Sequence, residues 1–298
     1  MSFLNKFRGA LLGLACGDAV GASVEFRKRG TFKPVTDMQA GGIFNLKAGQ
    51  WTDDTSMALC LATSLIDKQG FDAVDQMQRY CKWRDEGYLS STGSCFDIGI
   101  ATSKALSSFK KTGNPFSGDS NPNKAGNGCL MRLAPVVLFF YPNRDLCITM
   151  AAESARTTHG ASECLEASQL FAAMLFQALN GASKHDVLLA HGLLELRSNS
   201  LLAIAKGEYF TKMESDIKGS GYVVESLEAA IWCFYHTNSF EEAVLRAVNL
   251  GDDADTTAAI CGQLAGAFYG VQDIPKHWLS QLHQRETIAS FAQSLCRV

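Results

Sequence analysis

The sequence predicts an all-α protein, a single compact orthogonal helical bundle in which residues 1–298 form one domain, and three observations predict it. Apolar residues recur at three- and four-residue spacing along most of the chain, which is the period of an amphipathic helix. Alternating strand patterns are nearly absent. Leu165 to Leu179 and Ala258 to Tyr269 are apolar on almost every face, as befits helices at the middle of a bundle.

In chain order, the spacing predicts helices over 3–16, 54–67, 72–84, 97–109, 145–155, 162–180, 184–196, 222–236, 240–249, 256–270 and 276–295. All are rich in Ala, Leu, Met and Glu, which are good helix formers. Residues 136–140 (Val-Val-Leu-Phe-Phe) fit a short buried helix or a buried strand equally well. Pro135 suits a first helical turn, so the helix is preferred. Residues 27–51 and 112–129 are dense in Gly, Asn, Pro, Ser and Lys and read as loops. The helices flanking them carry large apolar faces, so neither loop reads as an interdomain linker. No solenoid period is present.

A chain that is 47% hydrophobic and 19% charged has the composition of a globular protein with a large core. A net charge of -3 argues against a generic polyanion-binding surface, so nucleic acid is not an expected partner. The longest apolar run, 133–141, is far too short to span a membrane. The amino terminus has no apolar core followed by a small-residue cleavage site. Ten cysteines, none in a C-x-x-C pair and most inside apolar stretches, read as reduced buried thiols. The expectation is a soluble, cytoplasmic protein with no membrane partner.

Two acidic clusters stand out. Thr52, Asp53 and Asp54 precede one apolar helix, and Asp252, Asp253, Asp255, Thr256 and Thr257 precede another. Helix capping accounts for one carboxylate at each site, or two. It leaves unexplained five carboxylates at the mouths of two buried helices. If those mouths meet, mutual repulsion raises the carboxylate pKa values, and a bound cation removes the conflict. The donors are all oxygens, which favours Mg²⁺, Mn²⁺ or Ca²⁺ over Zn²⁺. Two ions roughly 3.5–4 Å apart, bridged by a shared Asp, would suit polarisation of a water. Spacing alone weighs metal binding and capping evenly.

Two small-residue loops also precede helices. In Gly93-Ser94-Cys95-Phe96-Asp97-Ile98-Gly99, Asp97 has the position of an N-cap. Gly126-Asn127-Gly128-Cys129 places backbone N–H groups where a phosphate or ribose can approach, although Asn-Gly is also a common turn. Of the histidines, His185, His191, His236, His277 and His283 read as structural.

Taken in order, several segments resemble the ADP-ribosylglycohydrolase family, whose bacterial type is the dinitrogenase reductase-activating glycohydrolase. They are residues 8–21 (Arg-Gly-Ala-Leu-Leu-Gly-Leu-Ala-Cys-Gly-Asp-Ala-Val-Gly) with Glu25, Trp51-Thr52-Asp53-Asp54-Thr55, and residues 125–132 (Ala-Gly-Asn-Gly-Cys-Leu-Met-Arg). Thr158-His159, residues 219–227 and residues 249–256 complete the set. The resemblance implies an all-α fold with a di-metal site at the mouth of buried helices. It implies two divalent cations, usually Mg²⁺ or Mn²⁺, and removal of ADP-ribose from a modified group.

By resemblance, Thr52, Asp53, Asp54, Asp253, Asp255 and Thr256 are the metal ligands, and Glu25 lies at the metal centre, where it positions the water, deprotonates it or holds one ion. Asp97 faces the modified side chain, which favours arginine because a carboxylate pairs well with a guanidinium. Gly93, Gly99, Gly126, Asn127, Gly128, Cys129, Met131, His159 and Tyr222 are implied to contact substrate, an ADP-ribosylated protein or another ADP-ribose conjugate. Asp252 and Ala254 depart from the usual Gly-Gly-Asp-Thr-Asp-Thr of the second metal motif. Two other readings stand beside the hydrolase: a di-metal nucleotide phosphohydrolase, and an ADP-ribose-binding member without activity.

Overall fold

A computed structural model describes residues 2–189 and 194–296. The helices are α1 (Phe3–Gly21), α2 (Asp53–Lys68), α3 (Ala73–Glu86), α4 (Ile100–Thr112), α5 (Ala134–Phe140), α6 (Arg144–Arg156) and α7 (Ser162–Leu179). They continue with α8 (Lys184–Leu188), α9 (Asn199–Ala205), α10 (Val223–Tyr235), α11 (Phe240–Val248), α12 (Ala254–Tyr269), α13 (Lys276–Gln281) and α14 (Arg285–Leu295). Among the described residues there is no named strand, only isolated bridges. No helix among them is long and apolar enough to cross a membrane. The ambiguous run after Pro135 is helical, with proline in its first turn.

The centre of the bundle is the pair α1 and α12, and their sequences explain how closely they pack. A Cβ added to Gly9 would lie 2.1 Å from Gly266 O, one on Gly13 2.3 Å from Gly262 O, one on Gly17 2.2 Å from Ala258 O, and one on Gly21 2.4 Å from Asp255 Cα. Numbers rise along α1 as they fall along α12, so the helices are antiparallel and their small-residue stripes, four residues apart, let the backbones touch. This seam lengthens the first helix beyond the expected 3–16, to Gly21. It also sets the end of α1 against the start of α12, where the acidic residues are.

Around this pair, α7, α10 and α11 complete the main core, while Met57, Met77, Tyr80, Trp83, Leu106, Phe109 and Met131 form a second cluster under α2, α3 and α4. Elsewhere, two expected helices differ and one helix is unexpected. The 184–196 helix ends at Leu188, and its positions 190–193, with His191, lie outside the described residues. The unexpected α9 starts where Ser198 Oγ accepts from Leu201 N. The 276–295 helix is broken in two because Leu282 is extended and Gln284 takes a left-handed φ of 53°.

Candidate metal and substrate site

Four segments deliver carboxylates to one place. Asp18 comes from α1, Glu25 from the turn after it, Asp53 and Asp54 from the first turn of α2, and Asp253 and Asp255 from the start of α12. The Glu25 turn is tied to the second acidic segment by backbone bonds, Phe26 N to Asp252 O (2.7 Å) and Asp252 N to Arg27 O (2.8 Å). Asp97 completes the group. It is not an N-cap: it holds φ 58°, α4 begins only at Ile100 with Gly99 as its N-cap, and its carboxyl lies within hydrogen-bonding reach of Glu25 and Asp53.

Capping does not explain the clusters. Thr52 and Asp253 occupy the N-cap positions of α2 and α12, yet neither side chain caps its own helix. The start of α2 is instead held by Asp18, which sequence reasoning left out of the site. Asp18 Oδ1 accepts from Thr52 N (2.8 Å) and Thr52 Oγ1 (3.0 Å), and Oδ2 from Thr55 N (3.0 Å) and Thr55 Oγ1 (2.6 Å). Both of its oxygens are engaged, so it anchors α2 more readily than it offers a ligand. The signal was available: one Asp within the otherwise apolar stretch 9–21 of α1 demands a buried partner.

The remaining oxygens fit a cation. Glu25 Oε2, Asp54 Oδ1 and Asp255 Oδ1 are buried with no hydrogen-bond partner. Ligand atoms of Asp18, Asp54 and Asp255 lie within 4.8 Å of one another, and so do those of Glu25, Asp97 and Asp255. Asp255 belongs to both groups, as a bridging ligand would. Thr52 Oγ1 adds a neutral oxygen, 3.1 Å from Asp54 Oδ2 and 3.3 Å from Asp255 Oδ2. Asp253 is oriented by Asn127, whose Nδ2 donates to its Oδ2 at 2.8 Å, and lies in reach of Thr256.

Electrostatics agrees with geometry. Burial, then Asp97, raises Glu25 to about 10, and burial raises Asp97 to about 7 and Asp18 to about 6. Asp53, Asp54 and Asp255 stand well above the usual carboxylate range, first through burial and then through the neighbouring charges of Asp97, Asp18 and Glu25 respectively. Unneutralised carboxylates at this density are costly, and a hard divalent cation with oxygen ligands relieves that cost.

The second half of the site is the 126–128 turn. Asn127 N donates to Gly221 O (3.1 Å) and Val223 N to Ala125 O (3.0 Å), which joins the turn to the start of α10. From α12, Gln263 fixes the following backbone: its Oε1 accepts from Ala134 N (2.7 Å), and its Nε2 donates to Leu130 O (3.1 Å) and Met131 O (2.9 Å). The His159 imidazole packs on the turn, so a Cβ on Gly128 would lie 2.9 Å from its Cε1. A cavity of about 1240 Å³ opens beside Gly126, Gly221 and Tyr222, and none of the clustered carboxylates lines it. Tyr222 sits on its wall with its hydroxyl 2.6 Å from Glu163.

Not every expected contact residue reaches open space. Cys129 is buried beneath the turn against Cys164 O, and Met131 belongs to the second core cluster. Both support the turn from below. Gly93 and Gly99 are exposed near Asp97 in the chain, and a Cβ at either would meet nothing within 4 Å. Of the two departures from the second metal motif, Asp252 is exposed and holds a left-handed φ of 57° that glycine would adopt without strain, whereas Ala254 is buried in α12.

Fold and site together define an all-α protein with a buried carboxylate centre suited to divalent cations, set beside a nucleotide-sized cavity. The chain belongs to the ADP-ribosylglycohydrolase family, whose model matches residues 1–298. It is 44% identical over 292 residues to the ADP-ribosylarginine hydrolase Tri1 of Pseudomonas putida (strain GB-1), covering 98% of this chain and 78% of that protein. It is 31% identical over 281 residues to the ADP-ribosyl-[dinitrogen reductase] glycohydrolase of Rhodospirillum rubrum, covering 93% of this chain and 90% of that one. A solved structure described as an ADP-ribosylglycohydrolase-related protein complex superposes with a TM-score of 0.88 at 45% identity, covering 99% of this chain and 98% of the other.

Proposed function

We propose that this chain hydrolyses the bond between C1″ of ADP-ribose and an arginine side chain of a modified protein. The observation that carries the reading is the convergence of five carboxylates, Asp18, Glu25, Asp54, Asp97 and Asp255, from distant segments, three of them with buried, unpartnered oxygens, in a chain of this family. The printed activities of its relatives, on ADP-ribosylarginine and on a modified dinitrogen reductase, support arginine as the modified group. Abundant unpaired thiols support a reducing, cytoplasmic setting.

Thr52, Asp53, Asp54, Asp253, Asp255 and Thr256, with Glu25, are assigned to hold two divalent cations, Mg²⁺ or Mn²⁺. When bound, these supply charge neutralisation and a lowered pKa for water. Glu25 takes the proton of the attacking water at its unpartnered Oε2, where burial makes an ionised carboxylate strongly basic. Asp97, within hydrogen-bonding reach of Glu25, is placed to give a proton to the departing guanidine nitrogen as the C1″–N bond breaks. His159, Gly126 and Gly128 hold the ribosyl phosphate portion, and Tyr222 borders the cavity that takes the rest of the nucleotide.

The test is release of free ADP-ribose from an ADP-ribosyl-arginine protein in Mg²⁺ or Mn²⁺, with Asp253→Ala as the inactive control. A metal-loaded wild type that releases no ADP-ribose from arginine, serine or nucleobase linkages defeats the hydrolase reading. Release of phosphate or a mononucleotide instead identifies a phosphohydrolase.

A further inference from the structure

Arg132 is among the largest fully buried side chains, 1% exposed, and it has no ion-pair partner among the described residues. Its guanidinium lies over the Tyr80 ring, 4.8 Å from the centroid, with Nη1 3.7 Å from Met57 Sδ. Nε has no hydrogen-bond partner. A buried guanidinium without a carboxylate is expensive, and its shortest polar contact is Nη2 to Thr158 Oγ1 at 2.6 Å, with the Tyr80 hydroxyl also in reach.

That contact decides where a neighbouring proton sits. Arginine can only donate, so the Thr158 oxygen is the acceptor and its own O–H must point elsewhere. The acceptor within reach is His159 Nδ1, at 2.8 Å. Thr158 is buried and no other acceptor is within reach among the described residues, so its O–H is satisfied only by donating to Nδ1. Nδ1 then carries no proton, and the neutral imidazole holds its proton on Nε2. Nε2 lies against the 126–128 turn, 3.4 Å from where a Cβ on Gly126 would be and 3.1 Å from one on Gly128. Burial and the Arg132 charge both disfavour a second proton on the ring.

We infer that Arg132 is a positioning residue which, through Thr158, fixes His159 as a neutral Nε2–H donor aimed at a substrate oxygen over the Gly126–Gly128 turn. This gives the buried charge a role: without the Arg132 donor on its oxygen, the Thr158 hydroxyl is free to rotate away from Nδ1 and accept from Nδ1–H instead. Nε2 would then become an acceptor and repel a ribose or phosphate oxygen. The inference rests on the proposed ADP-ribose site, because only a ligand over the turn uses the donor.

The test reads the tautomer directly. The imidazole ¹⁵N resonances of His159 are recorded in the full chain without ligand, for wild type, Thr158→Val, Thr158→Ser and Arg132→Met, together with KM and kcat for an ADP-ribosyl-arginine substrate and the affinity for free ADP-ribose. The expected result is the Nε2–H form in wild type and Thr158→Ser, and loss of that single form in Thr158→Val and Arg132→Met. KM and the ADP-ribose dissociation constant should rise about tenfold in Thr158→Val, as for one lost oriented hydrogen bond. Its kcat should change less than KM, and serine should restore both. An Nδ1–H form in wild type, or a Thr158→Val protein with unaltered tautomer and ADP-ribose affinity, overturns the inference. A wild type with the Nε2–H form and tight ADP-ribose binding but no turnover refutes the hydrolase reading alone.

Discussion

Removing divalent cations should make this protein gain stability as the pH falls, the reverse of ordinary acid denaturation. Asp97 and Asp18 have folded-state pKa values of about 7 and about 6, against an ordinary 3.8, with burial as the main cause of each. A raised pKa means that the folded state binds more protons than the unfolded state between those values, so stability falls as pH rises through that window. Between about pH 8 and about pH 5.5, Asp97 contributes about 2 kcal/mol and Asp18 about 1 kcal/mol of added stability on protonation. Glu25, raised to about 10, acts in the same direction. His159, lowered to about 3 by burial and the Arg132 charge, opposes the trend by about 1.4 kcal/mol over the same window, because the unfolded imidazole takes up a proton there. His236 and His283, also lowered by burial, act with it. Asp37, Asp75 and Asp85, held below their ordinary range, oppose it below about pH 4.

Set against His159, the two aspartates leave a net gain of about 1.5 kcal/mol, which for a chain of this length corresponds to a rise in Tm of roughly 2–3 °C, and Glu25 adds to it. The assay is thermal unfolding in chelator and in excess Mn²⁺ across that pH range. With the cation present the carboxylates must be ionised to bind it, so the slope should reverse and the two curves should converge at low pH. Asp97→Asn should remove at least half of the chelated slope. A chelated wild type whose Tm is flat or falls towards pH 5.5 would refute the claim that these carboxylates converge unneutralised.

Other perturbations separate the seam, the turn and the second acidic segment. Gly13→Ala gains up to about 1 kcal/mol of helix propensity, but its Cβ would lie 2.3 Å from Gly262 O. Overpacking should win, with a net loss of about 1–2 kcal/mol in denaturant unfolding. Gln263→Leu leaves Ala134 N, Leu130 O and Met131 O without their side-chain partner. It should cost about 3 kcal/mol and weaken ADP-ribose binding measured by calorimetry. Asp252→Gly relieves a left-handed aspartate and should raise Tm by about 1 °C, equivalent to about 0.5 kcal/mol, while Mn²⁺ binding persists.

How much of this was legible in sequence follows from the range over which each signal acts. Helix positions were readable because 3.6-residue periodicity is local; α2, α7, α10, α11 and α12 begin and end within two residues of expectation. Breaks set by single backbone conformations were not. Gln284 at φ 53° and Asp97 at φ 58° are residues that composition does not mark as helix breakers. The acidic residues were legible as clusters, but the choice between caps and ligands needed the partner of each oxygen. Asp18 holding α2 from another helix decided it.

The stripe Gly9, Gly13, Gly17 and Gly21 was the signal with the largest consequence left unread. Four glycines in one helix weaken it by about 1 kcal/mol each relative to alanine, a cost that local helix stability cannot justify. The compensation lies in the partner. With Gly262, Gly266 and Ala258 opposite, the two backbones come into contact, and the register of that contact sets Gly21 against Asp255. A larger residue anywhere along the stripe would separate the ends of α1 and α12 by the thickness of a side chain. Glu25 and Asp18 would then withdraw from Asp54 and Asp255, dissolving both clusters whose oxygens now lie within 4.8 Å. The same close packing that builds the core therefore sets the spacing of the carboxylates, which makes Gly17→Leu a variant expected to lose Mn²⁺ binding without altering a single ligand.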